Sequence, residues 1–351
     1  MYKYNWTLRD AKFTKDKGKV FSCFSCGGGS TMGYKLAGFD VIGCNEIDPK
    51  MMEVYIKNHN PKYPFLAPVQ EFKNYDFPAD LYELDILDGS PPCSSFSMAG
   101  ARERDWGKEK KFKEGQAKQV LDTLFFDFID LAERLQPKVV IAENVKGILL
   151  GKAKKYIIEI YKRMDKAGYY LRHFLLDASK MGVPQRRERV FFIGLRKDLA
   201  SKFLYQKDMF TEIPRLEMDF RYKEINAGEI IDYKGPEIQS EKILTLWENR
   251  RPGEEDQRHA CRRIFNRDSY FGQRYIYADK VCSTLLTKKD CLLHSDKPLY
   301  LSKNEVCKIS TFPVDYDFGN LPYHYVCGMS VPPVMTARIA EGIYKQWLGK
   351  I

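Results

Sequence analysis

The stretch KVFSCFSCGGGSTMG, Lys19–Gly33, determines the fold predicted for this chain. A short apolar run leads directly into a glycine-rich turn, and a segment able to form a helix follows. Glycine lets the backbone approach a ligand closely, and a helix N-terminus favours negative charge. The stretch therefore predicts a strand, a turn suited to ligand binding and a helix, with an ordinary structural turn as the alternative.

The following residues continue this alternation of strands and helices. Lys138–Val145 is a continuous apolar run, typical of a strand buried on both faces. Apolar residues recur at helical spacing in two segments, Gln116–Gln136 and 154–168. The other predicted strands are Lys19–Phe24, Phe39–Ile47, Leu81–Leu87, Tyr169–Ala178 and Arg189–Arg196. This order predicts an α/β fold with a doubly wound, mostly parallel sheet.

The pattern changes after Arg196. From Lys197 to about Tyr300, prolines, charges and aromatic residues mix without a clear period, which predicts a smaller, irregular, partly β segment. GMSVPPVMTARIAEGIYKQWL, Gly328–Leu348, then predicts a turn and a final amphipathic helix.

Composition limits the class of protein. The 351 residues include 44% hydrophobic residues, and no apolar run approaches the ~18 residues that suggest a membrane span. The first 19 residues lack the apolar core of a signal peptide, and nine scattered cysteines do not form a disulfide framework. We therefore expect a cytoplasmic protein with free thiols, no membrane association and no metal.

The net charge of +10 favours an anionic partner, although many basic proteins bind no nucleic acid. Basic residues cluster in segments 101–113, 185–190 and 249–267, with aromatic residues nearby. Each segment alone is typical of a solvated surface. Together, they favour contact with phosphates.

Several residues at predicted strand ends could carry chemistry. Glu46 lies at the end of the second strand, about 20 residues after the turn, where an acid can accept hydrogen bonds from ribose hydroxyls. This spacing favours a nucleoside-containing cofactor over a plain turn. Glu143 and Asn144 end another buried strand, where an acid is costly without a partner or a catalytic role.

A cysteine stands at a third strand end, in LDGSPPCSSFS, Leu87–Ser97. Cys93 follows two prolines, whose stiff backbone suits a positioned nucleophile, although most buried cysteines only pack. Cys23 and Cys26 form a lone CxxC without the second pair that a zinc site needs. In QRRERV, Arg187 and Arg189 alternate, so both are predicted on one face of one strand, where ordinary salt bridges are the alternative.

Taken in order, these stretches resemble the DNA cytosine-5 methyltransferase family. The resemblance covers nearly the whole chain. It rests on the glycine-rich turn, Glu46, "PPC" followed by "FS", "ENV", the Gln-x-Arg-x-Arg pattern and the closing "GMSVPP". It implies a Rossmann-like methyltransferase fold and methylation of cytosine carbon 5 at a specific DNA sequence, with S-adenosylmethionine as the methyl donor.

The resemblance also implies roles for individual residues. Cys93 would add to carbon 6 of a flipped-out cytosine, and Glu143 would contact ring nitrogen 3 and the exocyclic amine. Arg189 would bind the base carbonyl, while Asn144 and Arg187 would support the site. The cofactor-binding residues would be Phe24, Cys26, Gly28, Gly29, Glu46, Ile47, Pro92 and Ser330.

Double-stranded DNA is the implied partner of a monomeric, bacterial or phage-encoded enzyme. Residues 94–118 resemble a loop that closes over DNA. Its expected phosphate contacts are Arg102, Arg104, Lys108 and Lys110, and Arg262 and Arg263 are further candidates. The predicted domains are a cofactor-binding catalytic domain 1–196, a target-recognition domain 197–318 and a returning C-terminal segment 319–351.

The chain departs from the family at several positions. Cys26 replaces the first glycine of the turn, Ser22 replaces an acid usual just before it, and Met329 replaces a common asparagine. The acid that usually contacts the adenine amine is not assigned, and Gln70 and Glu71 are candidates. These departures concern cofactor contacts.

Three alternatives remain open. A tRNA-modifying branch of the family shares this fold, but the Cys-Phe-Thr signature of that branch is absent here. A non-catalytic DNA-binding relative would be expected to lack the thiol or the acid, and both are present. A dinucleotide-dependent oxidoreductase would not explain "PPC", "ENV" and "QRRER" together. The sequence names neither the recognised site nor a restriction–modification, phage or solitary context.

Overall fold

The computed structural model describes residues 2–92, 109–110, 119–120, 123–150, 153–208, 211–270, 272–288 and 290–351. The strands are β1 Lys19–Cys23, β2 Asp40–Glu46, β3 Tyr63–Leu66, β4 Ile86–Gly89, β5 Glu109–Lys110, β6 Gln119–Val120, β7 Val139–Val145, β8 Tyr169–Asp177, β9 Glu188–Arg196, β10 Leu204–Asp208, β11 Thr211–Pro214, β12 Arg274–Ile276 and β13 Leu292–His294. The helices are α1 Gly29–Leu36, α2 Pro49–His59, α3 Val69–Phe72, α4 Leu124–Leu135, α5 Ala153–Lys166, α6 Glu241–Glu248, α7 Arg258–Phe265, α8 Lys303–Ile309, α9 Tyr323–Met329 and α10 Pro333–Gln346.

Internal contacts divide the chain into two compact units. The large unit comprises Lys12–Leu176, Glu188–Asp219 and Thr336–Ile351. The small unit comprises Met1–Ala11, Asp177–Arg187 and Phe220–Met335. These units interleave along the sequence, whereas the predicted domains 1–196, 197–318 and 319–351 are continuous segments. The functional boundaries therefore stay a prediction.

The large unit is built around a seven-stranded sheet of order β3-β2-β1-β4-β7-β9-β8. Strand β1 pairs in parallel with β2 on one side and β4 on the other, and β4 pairs in parallel with β7. Strand β9 runs antiparallel to β7. This sheet confirms the predicted α/β class. The strand order reverses between β1 and β4, and open sheets of this kind bind ligands at the carboxyl ends of the strands there.

Helix α4 shows how the sequence builds the core of the large unit. Its apolar residues recur at helical spacing and are buried, among them Phe125, Phe128 and Leu135. Burying each of these side chains contributes roughly 1.5–3 kcal/mol. Gly89 ends β4 against this helix, and a Cβ there would lie 2.6 Å from the Phe128 ring, so the close approach requires glycine.

Two element predictions differ from the structure. Ala79–Glu83 forms a 3-10 turn and β4 begins only at Ile86, so the predicted strand Leu81–Leu87 is wrong over its first part. Asp85 uses its carboxylate to accept the Lys19 backbone N–H at 2.7 Å, an interaction that an alternating strand pattern does not reveal. The helix predicted from Gln116 begins at Leu124, because Gln119 and Val120 lie in β6.

The small unit is held by short helices and buried polar contacts. Tyr275 and Leu293 lie in an apolar cluster, and the Trp247 indole donates to the His294 carbonyl at 2.7 Å. Ser302 and Glu305 form a capping box at the start of α8. This mixture of turns, helices and the two-stranded β12–β13 sheet matches the irregular, partly β segment predicted. None of the helices within the described ranges is long and apolar enough to cross a membrane.

Candidate active site

The glycine-rich turn joins β1 to α1 through left-handed backbone. Gly28 has φ 72°, and a Cβ at that position would lie 2.2 Å from His59 Nε2, so only glycine fits without a shift. Phe24 and Cys26 also take positive φ, at 52° and 45°. Such conformations cost about 1–3 kcal/mol for residues other than glycine and cluster at functional sites. Cys26 therefore keeps the backbone of the turn although it replaces the family's glycine.

Glu46, at the end of β2, ties this turn to the neighbouring strand. Its Oε2 accepts the Cys26 N–H at 2.7 Å, and its Oε1 accepts the N–H groups of Ile47 at 2.9 Å and Asp48 at 3.0 Å. Burial raises the pKa of Glu46, and these hydrogen bonds oppose that rise. A carboxylate has about four acceptor positions, so Oε2 keeps one for a ligand hydroxyl.

The other predicted cofactor residues of the large unit surround the same edge. Phe24 packs against Phe128 with ring centroids 6.4 Å apart, and Gly29 begins α1. Pro92 is half-buried beyond the end of β4. The Gln70 side-chain oxygen is buried and has no hydrogen-bond partner among the described residues, whereas Glu71 is exposed. Ser330 belongs to the small unit, where its hydroxyl donates to the Val326 carbonyl at 2.8 Å.

Glu143 and Arg189 form an ion pair on adjacent strands. In the antiparallel pairing of β7 and β9, Val145 lies opposite Arg189 and Glu143 lies opposite Phe191, so the pair is diagonal on one face. Arg189 Nε lies 3.0 Å from Glu143 Oε1, and the two side chains are only 17% and 13% exposed. Burial lowers the pKa of Arg189 while the Glu143 charge opposes the change. The pair presents a fixed acid and a fixed cation together.

Asn144 fixes the segment that precedes Cys93. Its side-chain N–H donates to the Pro91 carbonyl at 3.2 Å, and its Oδ1 accepts the Val145 N–H at 2.9 Å. Asn144 is buried, and so is Pro91. This bridge from β7 to the end of β4 gives a physical basis for the positioning role predicted for Asn144.

Cys93 itself lies outside the described residues, together with Arg102, Arg104 and Lys108. Lys110 lies in β5, where only the backbone is described. The predicted nucleophile and loop contacts therefore stay predictions.

Arg187 does not lie on the strand that carries Arg189. Strand β9 begins at Glu188, so the prediction of one shared strand face is wrong. Arg187 is buried in the small unit, where it donates to the carbonyls of Leu285 at 3.4 Å and Gly328 at 3.0 Å. These contacts hold main-chain segments far apart in sequence, which explains why its side chain turns inward.

The two arginines proposed for DNA contact in α7 differ in their surroundings. Arg262 is exposed and pairs with Asp268 at 2.8 Å. Arg263 pairs with Glu254 and donates to the Asn249 carbonyl at 2.7 Å. Arg262 is thus the more available of the two, and DNA contact by either stays a prediction.

Sequence reasoning missed Asp88, a buried acid in β4. Its Oδ2 accepts the Ser22 hydroxyl and its Oδ1 accepts the Tyr34 hydroxyl, both at 2.9 Å. Burial raises the pKa of Asp88 to about 7; the hydroxyls lower it and the Glu143 charge raises it. A charged residue inside the apolar run "ILDG" was the available signal.

Asp88→Asn should change how folding stability depends on pH. The folded-state pKa of Asp88 is about 7 and its ordinary value is 3.8, so the native protein loses stability as pH rises between these values. Asp88→Asn removes that loss, which approaches about 1.4 kcal/mol per pH unit. Urea unfolding at pH 5, 6.5 and 8 measures the difference between the two proteins. If the difference in the free energy of unfolding between the two proteins does not vary with pH, Asp88 does not titrate in this range. Glu143, Cys23 and Tyr34, the other ionisable groups around Asp88, are unchanged in both proteins.

These features define an α/β fold with a glycine-rich turn and a paired acid and arginine at the carboxyl ends of its strands. Residues 18–345 match the family model for C-5 cytosine-specific DNA methylases. The chain belongs to this family, which confirms the family predicted from the sequence motifs.

Individual relatives support the family at different coverage. Type II methyltransferase M.NgoPII of Neisseria gonorrhoeae is 36% identical over 195 residues, which is 55% of this chain and 52% of the relative. M.FnuDI of Fusobacterium nucleatum is also 36% identical, over 52% of this chain and 48% of its own length. The chain thus spans about half the length of these two relatives. M1.HphI of Haemophilus parahaemolyticus is 26% identical over 92% of this chain and 85% of its own length.

Solved structures agree on the fold. The Dnmt2 methyltransferase of S. pombe superposes with a TM-score of 0.59 at 14% identity, covering 93% of this chain and 98% of that chain. Spodoptera frugiperda DNMT2 superposes with a TM-score of 0.61 at 17% identity, covering 93% of this chain and 99% of that chain. At these identities, the likeness concerns the fold alone.

Proposed function

We propose that this protein is a DNA cytosine-5 methyltransferase that uses S-adenosylmethionine and acts at a specific sequence in duplex DNA. The observation that carries the proposal is the half-buried Glu143–Arg189 pair. It lies next to Asn144, whose side chain holds the segment that leads to Cys93. This arrangement offers an acid for the ring nitrogen and amine of cytosine and a cation for its carbonyl. Family membership supports the same chemistry.

The residues at the edge of the large unit fit the methyl donor. Glu46 keeps an acceptor position for a ribose hydroxyl, Gly28 permits close approach, and the buried Gln70 oxygen lacks a partner in the described part of the chain. That oxygen could accept from an adenine amine. When bound, S-adenosylmethionine supplies an electrophilic methyl group.

The chain's own groups would then activate the base. The target cytosine must leave the duplex stack to reach them. The Cys93 thiolate adds to carbon 6, and the ring becomes an enamine whose carbon 5 is nucleophilic. Glu143 and Arg189 stabilise the electron-rich ring, since fixed partners aimed at developing charge lower the barrier. After methyl transfer, loss of the carbon 5 proton and expulsion of the thiolate restore the aromatic ring.

Labelled S-adenosylmethionine offered with duplex DNA or with RNA of equal concentration tests this function. We expect label in DNA, recovered as 5-methylcytosine when the nucleosides are separated by mass. Label in tRNA with none in DNA would favour the RNA-modifying alternative. Binding of S-adenosylmethionine without methyl transfer to either DNA or RNA would favour a non-catalytic relative.

Glu46→Ala is expected to weaken binding of S-adenosylmethionine about tenfold to hundredfold. The substitution removes a charge-assisted hydrogen bond to ribose, worth roughly 1.5–3 kcal/mol. It also removes the acceptor of the Cys26 N–H. Calorimetric titration of the folded variant measures the change, and Glu71→Ala, at an exposed position, is the control. Unchanged affinity in Glu46→Ala would remove Glu46 from the cofactor site.

Sequence specificity is proposed to lie between Lys197 and about Tyr300. The segments that resemble the family's chemical motifs lie outside this range, and the range contains most of the small unit. Grafting it onto a related enzyme should transfer the recognised DNA site, as digestion of the methylated DNA by restriction enzymes would reveal. An active hybrid that keeps the host's own site would refute this assignment.

The bacterial relatives also support a cytoplasmic location for a bacterial or phage-encoded enzyme, and the term Type II in their names supports a restriction–modification context.

A further inference from the structure

Asp88 is a buried acid whose hydrogen-bond partners are neutral. The residue is 4% exposed, and its carboxylate accepts from the hydroxyls of Ser22 and Tyr34. No lysine or arginine among the described residues lies within ion-pair distance of it. Burying a carboxylate is costly unless it is paired, and two hydroxyl donors offset only part of that cost. A positively charged partner from outside the chain would offset the rest of that cost and favour the ionised carboxylate.

The position of Asp88 is where such a partner would bind. Asp88 lies opposite Ser22 on β1 and opposite Ile141 on β7, at the point where the strand order reverses. The Glu143 charge makes a small contribution to the raised pKa of Asp88. Glu143 already has Arg189, and Glu46 already has three backbone N–H groups. Asp88 is thus the carboxylate at this edge without a cationic or backbone partner in the described ranges.

Ser22 links Asp88 to a departure in the sequence. Ser22 stands where the resembled family has an acid just before the glycine-rich turn. The Asp88 carboxylate lies one hydrogen bond, 2.9 Å, from the Ser22 hydroxyl. An acidic group is therefore present next to that position, carried by the neighbouring strand β4 instead of β1.

We propose that Asp88, oriented by Ser22 and Tyr34, binds a cationic group of the methionyl part of S-adenosylmethionine. The inference rests on the proposed function and adds a residue to its cofactor site. S-adenosylmethionine carries two cationic groups, the sulfonium and the α-ammonium, and either could meet the carboxylate.

Calorimetric titration of Asp88→Asn with three probes tests the inference. S-adenosylmethionine carries both cations, S-adenosylhomocysteine carries only the ammonium, and 5′-methylthioadenosine carries neither. We expect at least a tenfold loss for S-adenosylmethionine and no change for 5′-methylthioadenosine. If the affinity for S-adenosylhomocysteine falls equally, Asp88 binds the ammonium. If that affinity does not change, Asp88 binds the sulfonium. Equal losses for all three probes, or none, would overturn the inference.

Asp85→Asn is the matched control. Asp85 immediately precedes the same strand, at its opposite end, and pairs with Lys138 at 2.8 Å. This variant should bind all three probes as the unaltered protein does. If Asp88→Asn fails to fold, Ser22→Ala provides the test, because loss of one hydroxyl donor should weaken only the charged probes. Unchanged affinities in Ser22→Ala would then contradict the inference.

A rescue experiment separates charge from shape. The double variant Ser22→Asp with Asp88→Asn returns the acid to β1 and should recover most of the lost affinity for S-adenosylmethionine. Failure of a folded double variant to regain affinity would indicate a structural role for Asp88 instead. If the unaltered protein binds no S-adenosylmethionine, the proposed function fails. If it binds and Asp88→Asn binds equally well, only this inference fails.

Discussion

Cys93→Ala should lose methylation by at least about a thousandfold, as enzymes without their nucleophile do. The variant should also be unable to form the covalent protein–DNA adduct that the proposed mechanism requires. Attack on carbon 6 normally ends when the proton on carbon 5 leaves, but fluorine at carbon 5 cannot leave as a cation. Duplex DNA with 5-fluorocytosine at the target, together with S-adenosylmethionine, should therefore give a denaturation-resistant protein–DNA band. Cys93→Ala should give no band while still binding the cofactor.

Cys23 and Cys26 supply the matched controls. Burial raises the pKa of both thiols well above its ordinary value, and the Glu46 charge adds to the rise at Cys26. Neither thiol is thus suited to form the reactive thiolate. Alanine at either position should leave the band in place. A band that persists in Cys93→Ala and disappears in one of these variants would identify a different nucleophile.

Glu143→Gln should reduce methyl transfer about a hundredfold to a thousandfold, as removal of one electrostatic partner of a transition state does. The substitution keeps the size of the side chain but removes the charge that pairs with Arg189 at 3.0 Å. Cofactor affinity should change little, because Glu46 and the turn are intact. Single-turnover methylation and calorimetry measure the two effects separately.

Glu188→Gln is the control for Glu143→Gln. Glu188 lies next to Arg189 in sequence but is exposed and pairs with Lys146 at 2.8 Å. Glu188→Gln also removes one negative charge, but from the protein surface. The rate of methyl transfer should stay within about twofold of that of the unaltered protein, since exposed ion pairs contribute little. Equal rates for Glu143→Gln and the unaltered protein would exclude Glu143 from the chemistry.

The sequence could predict the sheet and the residues at its edge. A continuous apolar run defines β7, so Glu143 and Asn144 had to fall at its end. The glycine-rich turn and Glu46 likewise followed from the spacing of the first two strands. These predictions succeed because burial on both faces of a parallel sheet imposes an apolar pattern that ends where the strand ends.

Contacts between distant segments could not be predicted in the same way. Asp88 is defined by hydroxyls 66 and 54 residues away along the chain, and Arg187 by carbonyls 98 and 141 residues away. The alternation in QRRER was compatible with a strand, but the chain enters β9 only at Glu188. Side-chain partners set by tertiary packing leave no periodic signal in the sequence.

Bisulfite sequencing of DNA from cells that express the protein tests the central claim most directly, because it reports the product and the site together. The account predicts protected cytosines at one recurring short sequence, present with the unaltered protein and absent with Cys93→Ala. Full conversion of every cytosine by bisulfite, in cells that contain the folded protein, would contradict the claim that this chain is a DNA cytosine-5 methyltransferase.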